Sequence, residues 1–216
     1  MTNNLQRGLN KLKGATEKIP KYTVNQTQVL SHNIFVFDLS DDIDSRGITE
    51  LCRSYQTEKF REKKTESVYA WRSEYTLVHD NPMAGFENLF SIVENKVNSI
   101  RFEPYTYFVH HYWFAIYGKG DSSTVHNHRV VDLACVYYAS APKNSAPLII
   151  TNDTGNISIN PKDGMLVVMP GYCNHMVPKS EHEEGERIIV AMNVKKDKFI
   201  ETAFQEKSNG STTKKT

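Results

Sequence analysis

The run "YTYFVHHYWFAIY", residues 105–117, constrains this chain more than any other stretch. Its aromatic and β-branched side chains favour a strand. Successive residues of a strand point to opposite faces, and here both faces are apolar. Such a strand has to be covered on both sides, which excludes a one-sided sheet facing water.

The segments before it supply one cover. Stretch 46–62 sets Ile48, Leu51, Cys52 and Tyr55 at helical spacing. In "DNPMAGFENLFSIVENKV", Asp80 or Asn81 reads as a helix cap and Pro82 as a first-turn residue. Phe86, Leu89, Phe90, Val93 and Val97 then form one apolar helix face. "NIFVFDLS" and "YAWRSEYTLV" read as strands.

After the run the pattern changes to strands. Short strand candidates follow at "VVDLACVYYAS", "APLIIT", "NISIN", "GMLVVM", "HMV" and "RIIVAMNV". Turn signals separate them at Gly118–Gly120, Asp153–Gly155, Pro161–Gly164, Pro170–Gly171 and Glu184–Gly185. Many short strands joined by such turns predict a sandwich or barrel. The fold class is therefore mainly β with N-terminal helices. Residues 1–28 form a polar, basic arm, 29–100 an α/β support region, 101–200 the β domain, and 201–216 a disordered polar tail.

Composition narrows the partners. Basic residues number 26 and acidic ones 25, so no broad charge footprint calls for nucleic acid. No apolar run approaches a membrane span, and the N-terminus lacks the apolar stretch of a signal peptide. Three separated cysteines without a CxxC disfavour a disulfide framework or a thiolate zinc site. The expected location is the cytoplasm, or the host cytoplasm for a phage-encoded chain.

The chemistry lies in "YGKGDSSTVHNHRVVDLACVYY". His126 and His128 stand two apart, a spacing that lets a strand send both rings to one side. Two histidines are not a metal site. A third, His175, follows the Pro170–Gly171 turn, and Arg187 comes 12 residues later on the last strong strand. Alternation sets Arg187, Ile189, Ala191 and Asn193 on one face. Burying an arginine among apolar neighbours is costly without an anion, and a carboxylate ligand held by its two N–H edges would offset that cost. A surface pair with Glu183 or Glu186 is the competing role. His110 and His111 read as core or supporting residues, and His32, His79 and His182 as surface ones.

The order His-X-His, distal His, then Arg resembles the Fe(II)/2-oxoglutarate-dependent oxygenases, above all their prolyl-hydroxylase-like branch, which is common in phages and marine bacteria. "YGKGD" resembles that branch's Tyr-X-X-Gly turn, "CVYYAS" its GVYY strand, "GMLVVMPGYCNHMV" its GdLvlFPswleHrV stretch, and "ERIIVAMNV" its pRisiafNv. The likeness covers roughly residues 65–195 and is strongest from Trp113 onward. It implies a double-stranded β-helix (jelly-roll) core. It implies Fe(II) on His126, His128 and His175, with 2-oxoglutarate and dioxygen as co-substrates. Arg187 would hold the distal carboxylate of the keto acid, with Tyr138 and Tyr117 beside it and Asn193 on the same face.

The sequence departs from the family in three places. His128 stands where the usual triad has Asp or Glu, and three neutral imidazoles favour copper, nickel or zinc over iron. Asp121 and Asp132 are candidate substitutes for the carboxylate. Ile189 replaces a serine two after Arg187, and "HRV" replaces "HPG". The expected function is a dioxygenase that hydroxylates a C–H bond of a protein side chain, prolyl among the options, or of a small molecule. The alternatives are a three-histidine cupin-like metalloprotein that uses no keto acid, and a non-catalytic jelly-roll binding protein. Expected partners are a protein or small-molecule substrate, with a homodimer as a further option.

Overall fold

The computed structural model describes residues 27–29, 32–56, 67–78, 84–100, 105–152, 155–181 and 184–197. Expectations for the arm before residue 27, the tail 201–216, His79 and His182 lie outside these residues. The constraining run is strand β6 (Thr106–Tyr117), paired antiparallel along its whole length with β13 (Arg187–Asp197).

Two sheets form the core. The larger runs β1 (Thr27–Val29), β2 (His32–Asp38), β11 (Met165–Pro170), β8 (Leu133–Ser140), β13, β6 and β4 (Trp71–Arg72), with β5 (Thr76–Leu77) also on β6. The smaller runs β10 (Gly155–Ile159), β9 (Leu148–Asn152), β12 (Asn174–Val177), β7 (Ser122–His126) and β3 (Val68–Tyr69). Every described pairing is antiparallel, and the two facing sheets make the predicted jelly roll. Segments before residue 101 thus supply strands to both sheets.

Alternation sorts the core into two layers. Val109, Tyr112, Phe114 and Ile116 of β6, with Ile188, Val190 and Met192 of β13, face the helices. Trp113, Ala115 and Tyr117, with Ile189 and Ala191, face the second sheet. A bulge keeps the parity: Asn193 opposes His111 and Val194 opposes Val109, so His110 is the extra residue.

Helix α1 (Ser45–Tyr55) starts where Asp44 Oδ1 accepts the Gly47 N–H at 3.0 Å. Its described part ends at Tyr55, short of the expected residue 62. Helix α2 (Glu87–Ser99) buries Leu89, Phe90, Val93 and Val97 as their spacing predicts. Of the expected caps, Asp80, Asn81 and Pro82 lie outside the described residues. The helix begins at Glu87, whose side chain reaches back to the Gly85 N–H at 2.8 Å.

The expected strand "YAWRSEYTLV" is a broken edge instead. Ser73 interrupts it: its N–H donates to Phe114 O at 2.9 Å, and its hydroxyl accepts the Phe114 N–H at 3.0 Å. A hydroxyl in place of a carbonyl bends the chain between β4 and β5. Among the described residues no helix is long and apolar enough to cross a membrane.

Candidate metal centre

His126 and His175 are direct cross-strand partners on β7 and β12. Their side chains therefore leave the smaller sheet on the same face, toward the larger one. The His126 Nδ1 lies 2.8 Å from the Thr124 carbonyl oxygen, and the His175 Nδ1 lies 2.9 Å from that of Cys173. A carbonyl oxygen only accepts, so each Nδ1 carries the proton and each Nε2 keeps its lone pair. This backbone anchoring of one nitrogen is how proteins orient imidazole ligands.

His128 arrives differently. It lies beyond the end of β7, in the loop to β8, not on the strand that the spacing suggested. Its place is set by the backbone. The His128 N–H donates to Gly171 O at 2.7 Å, the Gly171 N–H to Asp132 O at 2.9 Å, and the Val131 N–H to His128 O at 3.0 Å. A Cβ at Gly171 would overlap the Val131 carbonyl oxygen and stand 2.7 Å from that of His128. The sequence marked Gly171 only as a turn residue. It is the point where two chains touch and bring the second histidine to the first and third.

The ring atoms of the three histidines that could bind metal all lie within 4.8 Å of one another. The His126 and His175 rings are 4.3 Å apart between centroids, and the His128 ring stacks on Trp113 at 5.5 Å. Burial, reinforced by the neighbouring His126, pushes the pKa of His128 down to about 4. Asn193 beside it favours the protonated form and opposes the shift, although the Asn193 Oδ1 closes no well-formed hydrogen bond. Burial and His126 likewise push His175 down to about 3. Both rings are neutral near pH 7, as metal ligands must be.

Neither candidate carboxylate joins them. Asp121 accepts the Gly118 N–H at 2.8 Å, and Asp132 accepts the Lys196 N–H at 3.0 Å and pairs with its ammonium at 3.4 Å. The donor set is three nitrogens. Such a set fits a divalent transition metal, with open positions for other ligands.

Arg187 opens β13 directly opposite Tyr117 of β6 and is fully buried. Its Nη1 donates to Ala146 O at 3.0 Å, and its Nη2 lies at 3.5 Å from the Tyr138 hydroxyl. Its Nε has no partner. The guanidinium carbon lies 5.2 Å from the ring centres of both Tyr117 and Tyr138. Burial raises the pKa of both phenols, so they stay neutral and give the cation no counter-charge. The competing acid is accounted for, because Glu186 pairs with Arg53 at 3.1 Å; Glu183 lies outside the described residues. Among the described residues, then, a buried cation has no anion.

The three histidines, Arg187 and Tyr117 line one cleft between the sheets, with Trp113, Ser123 and small apolar residues such as Ala134 and Ala191. Among the described residues no Asp or Glu lines it. Tyr138 packs on Arg187 outside that lining, and Asn193 sits beside His128. The His110 and His111 rings pack on each other, tilted, with centroids 4.1 Å apart and away from the cleft wall. Ser123 escaped the sequence reading. It hydrogen-bonds Tyr117, and its Oγ accepts the Val177 N–H at 3.0 Å, tying β12 to the tyrosine beside Arg187.

No family model matches the sequence, and no curated protein matches it. Solved structures do. A Pseudomonas putida prolyl-4-hydroxylase aligns at 16% identity over 76% of this chain and 93% of its own, with a TM-score of 0.60. A Trichoplax adhaerens prolyl hydroxylase, solved in complex with a hypoxia inducible factor oxygen degradation domain peptide fragment, aligns at 13% identity over 96% of each chain, TM-score 0.58. The viral collagen prolyl hydroxylase of Paramecium Bursaria Chlorella virus-1, solved as its 2OG complex, aligns at 15% over 74% of this chain and 94% of its own, TM-score 0.55. The chain has the fold of the prolyl-hydroxylase-like 2-oxoglutarate/Fe(II) oxygenases.

Proposed function

We propose that this protein is an Fe(II)- and 2-oxoglutarate-dependent dioxygenase that hydroxylates a C–H bond in a protein side chain, prolyl being the first to test. One observation carries the reading: three convergent imidazoles and a buried arginine without an anion share one cleft.

Each residue has a definite task. His126, His128 and His175 hold the metal. Arg187 binds the distal carboxylate of the keto acid, whose charge replaces the missing counter-ion. Tyr117 and Tyr138 flank that carboxylate, with the hydroxyl of Tyr117 held by Ser123. Ile189, Ala134 and Ala191 keep the path between the two sites apolar and exclude water. Bound iron supplies the redox chemistry by which dioxygen converts the keto acid to succinate and CO₂ and the substrate C–H to C–OH.

The rim supports a polypeptide over a small metabolite. Val130 and Tyr172, 88% and 53% exposed, lie in the loops that lead away from the second histidine and toward the third. Tyr75, 55% exposed, packs on Trp113 at 4.5 Å at the cleft wall. Large apolar groups left in water around a site mark a protein contact.

A second reading, a three-histidine metalloprotein that uses no keto acid, draws on the absence of a carboxylate ligand among the described residues. An anaerobic titration separates the two. Metal-free protein is given Fe(II) and then 2-oxoglutarate, followed by visible absorption. A weak charge-transfer band that needs both additions and is lost in Arg187→Ala supports the dioxygenase. Iron binding with no such band would leave only the second reading.

A further inference from the structure

The His-X-His motif has a middle residue, and the three-histidine site does not use it. Asn127 lies between His126 and His128, and Asn174 immediately precedes His175. The cross-strand register pairs His126 with His175, so Asn127 and Asn174 continue the ladder one step on, where β7 has ended. Their side chains bridge that step: Asn127 Nδ2 donates to Asn174 Oδ1 at 2.7 Å. Both are half-buried.

We propose that the Asn127–Asn174 bond is a positioning clamp for the metal centre, fixing the spacing between the strand that carries His126 and the one that carries His175. This rests on the metal-binding half of the proposed function and not on the keto acid. Two physical points support it. First, Asn174 alternates with His175 on β12 and so points away from that ring, and neither asparagine lines the cleft, so the clamp holds the backbone without entering it. Second, the β7–β12 pairing needs outside help at this point. Its register slips between His175 and Val177, so the ladder on the far side of the histidines is irregular. On the near side β7 stops at His126, and Asn127 is already in the loop that leads to His128. The side-chain bond supplies there the constraint that a further backbone pair would otherwise give. It also ties together the two segments that between them carry all three ligands.

The test exploits the isosteric change from amide to carboxylate. In Asn127→Asp or Asn174→Asp alone, the remaining amide still donates to the new carboxylate, so the clamp survives. In the double variant no donor remains, and at pH 8 two ionised carboxylates face each other at the same spacing. Simple attraction of a metal cation by added negative charge makes the double variant the tightest binder. The clamp makes it the weakest. Metal-free protein would be titrated with Co(II) under argon, reading both the affinity and the visible ligand-field spectrum, with thermal melting as the check on folding. The expected result is affinity at or above the parent's in each single variant, and a loss of tenfold or more in the double, the usual scale for outer-sphere partners. Its ligand-field bands should also change. A double variant that binds as tightly as the singles, with an unchanged spectrum, overturns the clamp while leaving the metal centre standing. A parent protein that takes up neither Co(II) nor Fe(II) overturns the metal centre, and the clamp with it.

Discussion

The two faces of the larger sheet are built from the same strands and differ in almost every physical respect. Toward α1 and α2, strands β6, β8 and β13 present Phe114, Ile116, Cys135, Tyr137, Val190 and Met192. That layer is aromatic and aliphatic, and in it the Tyr137 hydroxyl meets that of Ser45 at 2.8 Å. Toward the smaller sheet the same strands present Ala115, Ala134, Ala191, Arg187 and Asn193. Small side chains leave a cleft there, and two buried polar atoms, Arg187 Nε and Asn193 Oδ1, go unpaired. One face is optimised for packing. The other bears a cost that a bound ligand would remove, and such sites are where function is found.

The comparison is broken most directly by one substitution on each face. Phe114→Ala removes a fully buried ring that packs on Trp71, Tyr55 and Phe86, and should cost about 3–5 kcal/mol of stability while metal affinity in the folded fraction is unchanged. Arg187→Met should do the reverse. Keto-acid binding falls more than about a hundredfold, since a buried charge partner is lost, while stability holds or rises because an uncompensated cation leaves the core. Urea midpoints and keto-acid titrations on both variants give the four numbers. If Arg187→Met is as destabilising as Phe114→Ala, the arginine is a structural residue and the contrast between the faces fails.

Gly171→Ala probes the junction between the two regions and should have the next largest effect. The new methyl group meets the backbone of His128 and Val131, which cannot give way as a flexible side chain would. The loop has to shift, and His128 with it. Metal affinity is expected to drop roughly tenfold to a hundredfold, with a smaller loss of stability. Equal affinity for parent and variant would show that His128 does not contribute to binding.

How much of this the chain displays on its surface as sequence depends on the range of the interaction. The alternation in "YTYFVHHYWFAIY" and "RIIVAMNV" is local, so the strands, both layers and the faces of Arg187 and Asn193 were legible. So was α2's apolar face, from Phe86 to Val97. The three histidines were legible because their order matches a family pattern, while composition alone left them an open set. Features made by distant contacts were not. Ser73 breaks the expected edge strand only because Phe114, 41 residues on, meets its hydroxyl. His128 leaves the strand because Gly171 holds it. Asn127 and Asn174, 47 residues apart, become partners only through the β7–β12 register. No spacing rule within one segment announces such pairs.

The smallest expected effect concerns protons. In the unfolded chain a histidine titrates near pH 6.5. His128 is held down to about 4 and His175 to about 3, in both cases mainly by burial. Between pH 6.5 and those values the unfolded chain binds protons that the folded chain refuses, so the stability of the metal-free protein falls as pH falls. Above about pH 6.5 these two rings contribute no slope. The loss is at most about 1.4 kcal/mol per pH unit for each ring, and less for His128, which is only half-buried. Other groups titrate as well, so the informative quantity is a difference: the urea midpoint of the parent against His175→Ala, each at pH 8, 6 and 5. The parent should lose more stability than the variant between pH 6 and 5, and the two should run parallel between pH 8 and the onset near 6.5. Phe114→Ala, on the other face, should instead follow the parent at every pH with a constant offset. Parallel curves for His175→Ala as well would mean that its imidazole is not held neutral by burial. The cleft face would then be no more demanding of a ligand than the packed one.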